Sequence, residues 1–101
     1  MSSSLILGTL AYAYAVSGNR DDAFRIVEEL KPAAETDANA LIAIAQVFVA
    51  LDDKERAFEW LEKGYQRRAP VLKILNTDFT FDPLRSDPRF KDVQRRIGLP
   101  P

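Results

Sequence analysis

Residues 7–28, LGTLAYAYAVSGNRDDAFRIVE, return 34 residues later as residues 41–62, LIAIAQVFVALDDKERAFEWLE. Leu7 falls on Leu41, Leu10 on Ile44, Ala11 on Ala45 and Tyr14 on Phe48. Further on, Asp22-Ala23-Phe24 falls on Arg56-Ala57-Phe58, Val27 on Leu61 and Glu28 on Glu62. The matches sit at apolar and small positions, with the spacing of buried helix faces. Self-similarity at such a period means stacked units, each unable to bury its apolar face alone.

Working outward, each unit reads as two helices. Leu7, Leu10, Ala11 and Tyr14 recur at i, i+3, i+4, i+7, which predicts an amphipathic helix over about Ser4 to Ser17. Gly18 tolerates the left-handed conformation that ends it. Asn19 is placed to cap a second helix running to about Ala34, with Asp22 in its first turn. Pro32 predicts an end or kink near Lys31. Thr36 or Asp37 caps the third helix, which runs to about Leu51. Asp52 and Glu55 have capping-box spacing, Asp standing for Ser or Thr. The fourth helix follows over about Asp53 to Arg68, with Ala57, Leu61 and Gly64 facing the core, and Ala69-Pro70 breaks it.

The remainder is of another kind. Val71 to Leu75 reads as a short helix or turn against the fourth helix. Asp82-Pro83 and Asp87-Pro88 each pair a capping residue with proline at the first helical position. The second pair starts a helix that ends at Gly98, with Phe90, Val93 and Ile97 in one apolar stripe and Lys91, Arg95 and Arg96 largely outside it. That stripe is the expected cover for the open side of the fourth helix. The opposite end has no such cover, so Leu5, Ile6 and Leu10 are expected to stay partly open. Leu99-Pro100-Pro101 reads as a finished terminus. Met1 running straight into Ser2-Ser3-Ser4 and the first unit fits a compact gene product or a piece of a longer one.

Composition removes whole classes of chemistry. The chain has 101 residues, no cysteine and no histidine. Disulfides, thiolate sites and histidine-based triads or zinc sites are therefore excluded. Glu28-Glu29 and Glu59-Glu62 are solvated helix faces rather than acid–base pairs. Asp78, Asp82 and Asp87 lack the spacing and central glycine of a calcium loop. No metal, cofactor or enzymatic role is expected. The apolar run Leu5 to Val16 lacks a charged leader and is too short to span a bilayer, so no membrane partner is expected.

Charge is unevenly spread. Residues 1–62 carry five basic and eleven acidic side chains, a balance of −6. Residues 63–101 carry nine and four, a balance of +5. Such ends can steer a charged partner or a second copy. The basic tail (Arg67, Arg68, Lys73, Arg85, Arg89, Lys91, Arg95, Arg96) is interleaved with Phe79, Phe81 and Phe90. Their spacing fits core capping better than base stacking, and no nucleic acid is expected.

These residues resemble the tetratricopeptide repeat. In the first unit Leu7, Leu10, Ala11, Tyr14, Gly18, Ala23, Val27 and Leu30 fall on its characteristic positions. In the second, Leu41, Ile44, Ala45, Phe48, Asp52, Ala57, Leu61 and Gly64 do. The resemblance covers about Ser4 to Pro70. It departs where leucine replaces the usual first-helix tryptophan in both units and aspartate the inter-helix glycine in the second. It implies an all-α fold: two helix-turn-helix units in a short right-handed solenoid with a C-terminal capping helix. The chain then divides as repeat 1 (about 4–36), repeat 2 (about 37–70) and a capping tail (71–101), all one domain. The tail DFTFDPLRSDPRF, residues 78–90, is similar to the ends of bacterial repeat domains on signalling enzymes and transcription regulators. That likeness implies a bacterial protein in a regulatory or scaffolding setting; a cytoplasmic location is expected, with export as the alternative.

The family also implies a site. Its concave face is lined by the first helix of each unit, here Leu5, Gly8, Thr9, Tyr12 and Ala15, then Asn39, Ile42, Ala43, Gln46 and Val49. Leu5, Thr9, Tyr12, Asn39, Ile42 and Gln46 are the expected contacts. Asn39 and Gln46 can hydrogen-bond a peptide backbone, and Tyr12 can pack on a side chain. The carboxylate clamp of the chaperone-binding subset has no counterpart, since Gly8 and Tyr12 stand at its first-unit positions. The expected function is a protein or peptide interaction module. The alternative is self-association through the uncapped first helix or the oppositely charged ends.

Overall fold

The structure is a computed structural model that describes residues 3–66 and 79–96, and only the backbone of residues 3–5. Every element in those residues is helical: α1 (Ser3–Val16), α2 (Arg20–Ala33), α3 (Ala38–Ala50), α4 (Lys54–Gln66), a 3-10 helix (Phe79–Leu84) and α5 (Pro88–Arg96). The expectations for Val71–Leu75, Ala69-Pro70, Ile97, Gly98, Asp78, Arg67, Arg68 and Lys73 lie outside the described residues.

The sequence repeat is a structural repeat down to its hydrogen bonds. After α1, Asn19 N–H donates to the Tyr14 carbonyl (2.8 Å) and Gly18 N–H to that of Ala15 (3.3 Å). After α3, Asp53 N–H donates to the Phe48 carbonyl (2.9 Å) and Asp52 N–H to that of Val49 (3.0 Å). Both turns are the same Schellman closure. It places Gly18 at φ 88 and Asp52 at φ 62, in the left-handed region. The helix starts at Arg20, Lys54 and Pro88 are spaced by the same 34 residues, as are the ends at Val16, Ala50 and Leu84. The tail thus keeps the period of the repeats: the 3-10 helix ends, and α5 starts, one further step of 34 along the chain.

Several local expectations change. Asn19 holds the cap position of α2, but its side chain makes no capping bond and donates instead to Ser17 Oγ (3.3 Å). Asp37, not Thr36, caps α3 by accepting from Asn39 N–H (2.9 Å). Asp53, not Asp52, caps α4 by accepting from Arg56 N–H (3.2 Å), because Asp52 is consumed by the left-handed turn. Helix α2 runs through Pro32 to Ala33. Proline is so near the end that only one ladder bond is lost. Asp82-Pro83 lies inside the 3-10 helix and starts no helix of its own. Asp87 caps α5 through Arg89 N–H (2.9 Å), with Pro88 first in the helix.

Helix α3 is the centre of the molecule. It packs against α1, α2, α4 and the 3-10 helix, and nine of its 13 residues are buried. Ala11, Ala23, Ala45 and Ala57 have no exposed surface, as close helix approach requires. Phe24 of α2 meets Phe48 of α3 with ring centroids 6.3 Å apart. Phe81 and Leu84 of the 3-10 helix join the same core, as do Phe90 and Val93 of α5, which packs on α4. Leu10, in the apolar stripe with Leu7, Ala11 and Tyr14 but expected to stay partly open, is 43% exposed, whereas its counterpart Ile44 is fully buried. Among the described residues no element packs on that side of α1.

Candidate protein-interaction surface

Helices α1 and α3 lie side by side, and Gly8 sets how closely. A Cβ at Gly8 would stand 2.6 Å from the Ala43 Cβ, too close for any side chain without moving the helices apart. Thr9 and Tyr12 belong to α1, and Asn39 and Gln46 to α3. Thr9 and Asn39 are exposed, and Tyr12 is half-buried. Gln46 is half-buried, and its Nε2 donates to Thr80 Oγ1 of the 3-10 helix (3.0 Å).

The other expected face residues lie deeper. Ile42 is buried and offers no open surface, and Gly8, Ala15, Ala43 and Val49 are buried with it. They are packing residues, because α1 presses on one side of α3 while the 3-10 helix of the tail occupies another. Leu5 belongs to α1, where only its backbone is described. The accessible part of the expected site is therefore Thr9, Tyr12, Asn39 and the edge of Gln46.

Among the described residues, three of the five basic side chains of the tail, Arg85, Arg89 and Arg96, are paired within the molecule. Arg89 Nη1 donates to Glu55 Oε1 (2.7 Å), with its guanidinium 4.5 Å from the Phe58 ring centre. Seven residues on, Arg96 Nη1 donates to Glu62 Oε1 (2.9 Å), and its guanidinium lies 4.5 Å from the Tyr65 ring centre. Arg89 and Arg96 thus each grip a glutamate and the aromatic three residues later on α4. Planar, always-charged guanidinium suits this double role. Arg85 is paired with Asp82 (2.7 Å). The sequence reading passed over these clamps, although Glu55 to Arg89 and Glu62 to Arg96 are again steps of 34.

Asp87 is tied to the same cluster. Hydrogen bonds from the Arg89 side chain and Arg89 N–H hold its carboxyl down at about 2, against an ordinary 3.8. The Arg89 guanidinium is correspondingly shifted upward, chiefly by its hydrogen bonds to Asp87 and then Glu55. Asp82 and Asp87 are therefore partners of arginine and of a helix end. Among the described residues no group of three or more acidic side chains is placed to hold a metal ion.

Two further surfaces lie away from these residues, and only the second was anticipated. A cleft of about 500 Å³ lies between the end of α2 and α4, lined by Lys31, Ala34, Leu41, Trp60 and Lys63, with Lys63 Nζ 4.6 Å from the Trp60 ring centre. On α1, Ile6 is 55% and Leu10 43% exposed, as the absence of a cover at that end led one to expect. No helix among the described residues is long and apolar enough to cross a membrane. Comparison with models of known families, with curated proteins and with solved structures finds no match to this chain.

Proposed function

We propose that this chain is a protein-interaction module of the tetratricopeptide type, two helix-turn-helix units and a degenerate third forming a short right-handed solenoid. What carries this reading is the 34-residue recurrence of the same turn, bond for bond, after α1 and after α3. A stack of this kind offers a long side surface and no enclosed reaction chamber. The partner is a peptide or a partner domain lying along the α1–α3 side. Tyr12 supplies a rigid aromatic contact, and the amides of Asn39 and Gln46 exchange hydrogen bonds with its backbone. Thr80 holds Gln46 in place for that contact. The role is scaffolding or regulation without catalysis, consistent with a chain free of histidine and cysteine.

The test is affinity capture from the source cell with the wild-type chain and with the Tyr12→Ala/Asn39→Ala variant, the bound proteins being quantified. Both sites lie at or near the surface, so circular dichroism should show an unchanged fold. Selective loss of one or a few captured proteins is expected. An identical captured set in wild type and variant would overturn the surface.

A further inference from the structure

We propose that the cleft between the end of α2 and α4 binds a small apolar monocarboxylate, its body against Trp60 and its carboxylate between Lys31 and Lys63. The inference does not rest on the α1–α3 surface above, since none of the contact residues of that surface lines the cleft.

The opening has a cause in the repeat. At the next junction Arg96 of α5 clamps Glu62 of α4 and ties the two helices together. One step of 34 earlier, the same two places are held by Glu62 and Glu28, two carboxylates. Among the described residues no such clamp joins α4 to α2, and these two helices make hardly any direct contact. The cleft of about 500 Å³ lies in that gap. Its size falls within the range of small-molecule sites, about 300–1,000 Å³.

The inner lining is apolar. Ala34 and Leu41 are buried at the cleft, and Trp60 is half-buried beside them. The same step of 34 sets Trp60 against Ile26 on α2 and Gln94 on α5, and both of those are buried. Trp60 alone of the three keeps open surface, so its indole is not consumed by the core. An aromatic side chain so placed offers a ligand a large apolar contact area.

The charged residues set the sign of the ligand. Lys31 comes from α2 and Lys63 from α4, one on each wall, and Glu35 is the one acidic residue among the described lining, so +2 and −1 leave +1. A monocarboxylate cancels that charge. A phosphate dianion overshoots it beside Glu35, and an amine is opposed by both lysines. The indole ring already carries a cation, Lys63 Nζ at 4.6 Å. A carboxylate resting on that ammonium lies beside the ring without competing for its face. Lys31 Nζ donates to Glu28 Oε1 (2.8 Å), which does not line the cleft, and the two side chains are 42% and 68% exposed. A pair so exposed contributes little, so Lys31 turns to a ligand at small cost.

The one tryptophan of the chain lies in the cleft, so its fluorescence reports binding there. Titration of the full chain with phenylbutyrate is expected to give a saturable change with a dissociation constant of about 0.1–1 mM. The matched phenylbutyramide and phenylbutylamine should bind at least fivefold more weakly, and added salt should weaken the acid but not the amide. Lys31→Met and Lys63→Met keep the apolar stem and remove the charge. Each should weaken the acid at least threefold and leave the amide little changed, with unaltered circular dichroism. Backbone NMR shifts, which do not depend on indole emission, should move on titration at Ala34, Leu41 and Trp60. Equal affinity for acid and amide overturns the proposal. So does a change that never saturates, a set of shifts centred on Tyr12 or Leu10, or an acid affinity that both lysine variants leave intact.

Discussion

Asp52 and Gly18 occupy the same place in the same turn, but only one is suited to it. Both sit in the left-handed region, and both close a Schellman motif. Glycine enters that region without penalty, whereas a side chain costs about 1 kcal/mol, somewhat less for aspartate. Asp52→Gly should therefore stabilise the chain by about 0.5 kcal/mol, and Gly18→Ala should destabilise it by about 1 kcal/mol. Urea titration of the two variants beside the wild type gives both values, and a destabilised Asp52→Gly would show that its side chain does something the turn geometry does not account for. Gly8 is the opposite case, where space and not φ excludes a side chain. Gly8→Ala gains about 1 kcal/mol of helix propensity, but it drives its Cβ into that of Ala43, which cannot rotate away. Overpacking of this kind costs about 1–3 kcal/mol, so net destabilisation is expected. Adding Ala43→Gly removes the collision, and the double variant should be more stable than the two single effects summed.

At the level of elements, α5 shows how far the sequence could be read. Its start was legible because Asp87-Pro88 is a cap followed by a proline that needs no donor. Its clamps were not, because Arg89 and Arg96 read as surface charge until the 34-residue step is carried past Pro70, where matching residue types have stopped. The 3-10 helix was equally opaque, since a proline-containing six-residue turn has no period to detect. Asp52 and Asp53 illustrate a third limit. Two adjacent capping residues were available, and which one capped depended on the turn before them. The cap of α5 also makes a pH test possible. Asp87 is held at about 2 in the folded chain against 3.8 ordinarily. Between those values the unfolded chain binds the proton that the folded chain refuses, so this contribution is complete above about pH 4 and is lost as the pH falls to about 2. Asp87→Asn keeps a cap of similar rank but cannot ionise. It should be less stable than wild type at neutral pH, and the gap in unfolding midpoint should close by about pH 2. A gap of constant size would mean that Arg89 contributes nothing through charge.

For the molecule as a whole, what the sequence left open was less the core than its edges. Leu10 and Ile44 are alike in chemistry and in register, and their fates differ only because one has a helix behind it. No inspection of the residue itself could have told them apart. The same reasoning predicts where stability resides. Helix α3 is enclosed by α1, α2, α4 and the 3-10 helix, so its amides should exchange with solvent only through global unfolding, and those of α1 and α5 through smaller openings. The tail decides whether this gradient is one cooperative unit or two. Phe81 is fully buried and belongs to the same core as Leu41, Ile44 and Leu61. Phe81→Ala should cost about 3–5 kcal/mol, a large share of the roughly 5–15 kcal/mol that holds a domain together. If the tail is integral, hydrogen exchange should accelerate in α3 by the same free energy as in α5, although α3 itself is untouched. Acceleration confined to residues 79–96, with α3 unchanged, would mean that α1–α4 stand alone and that the tail is a detachable cover.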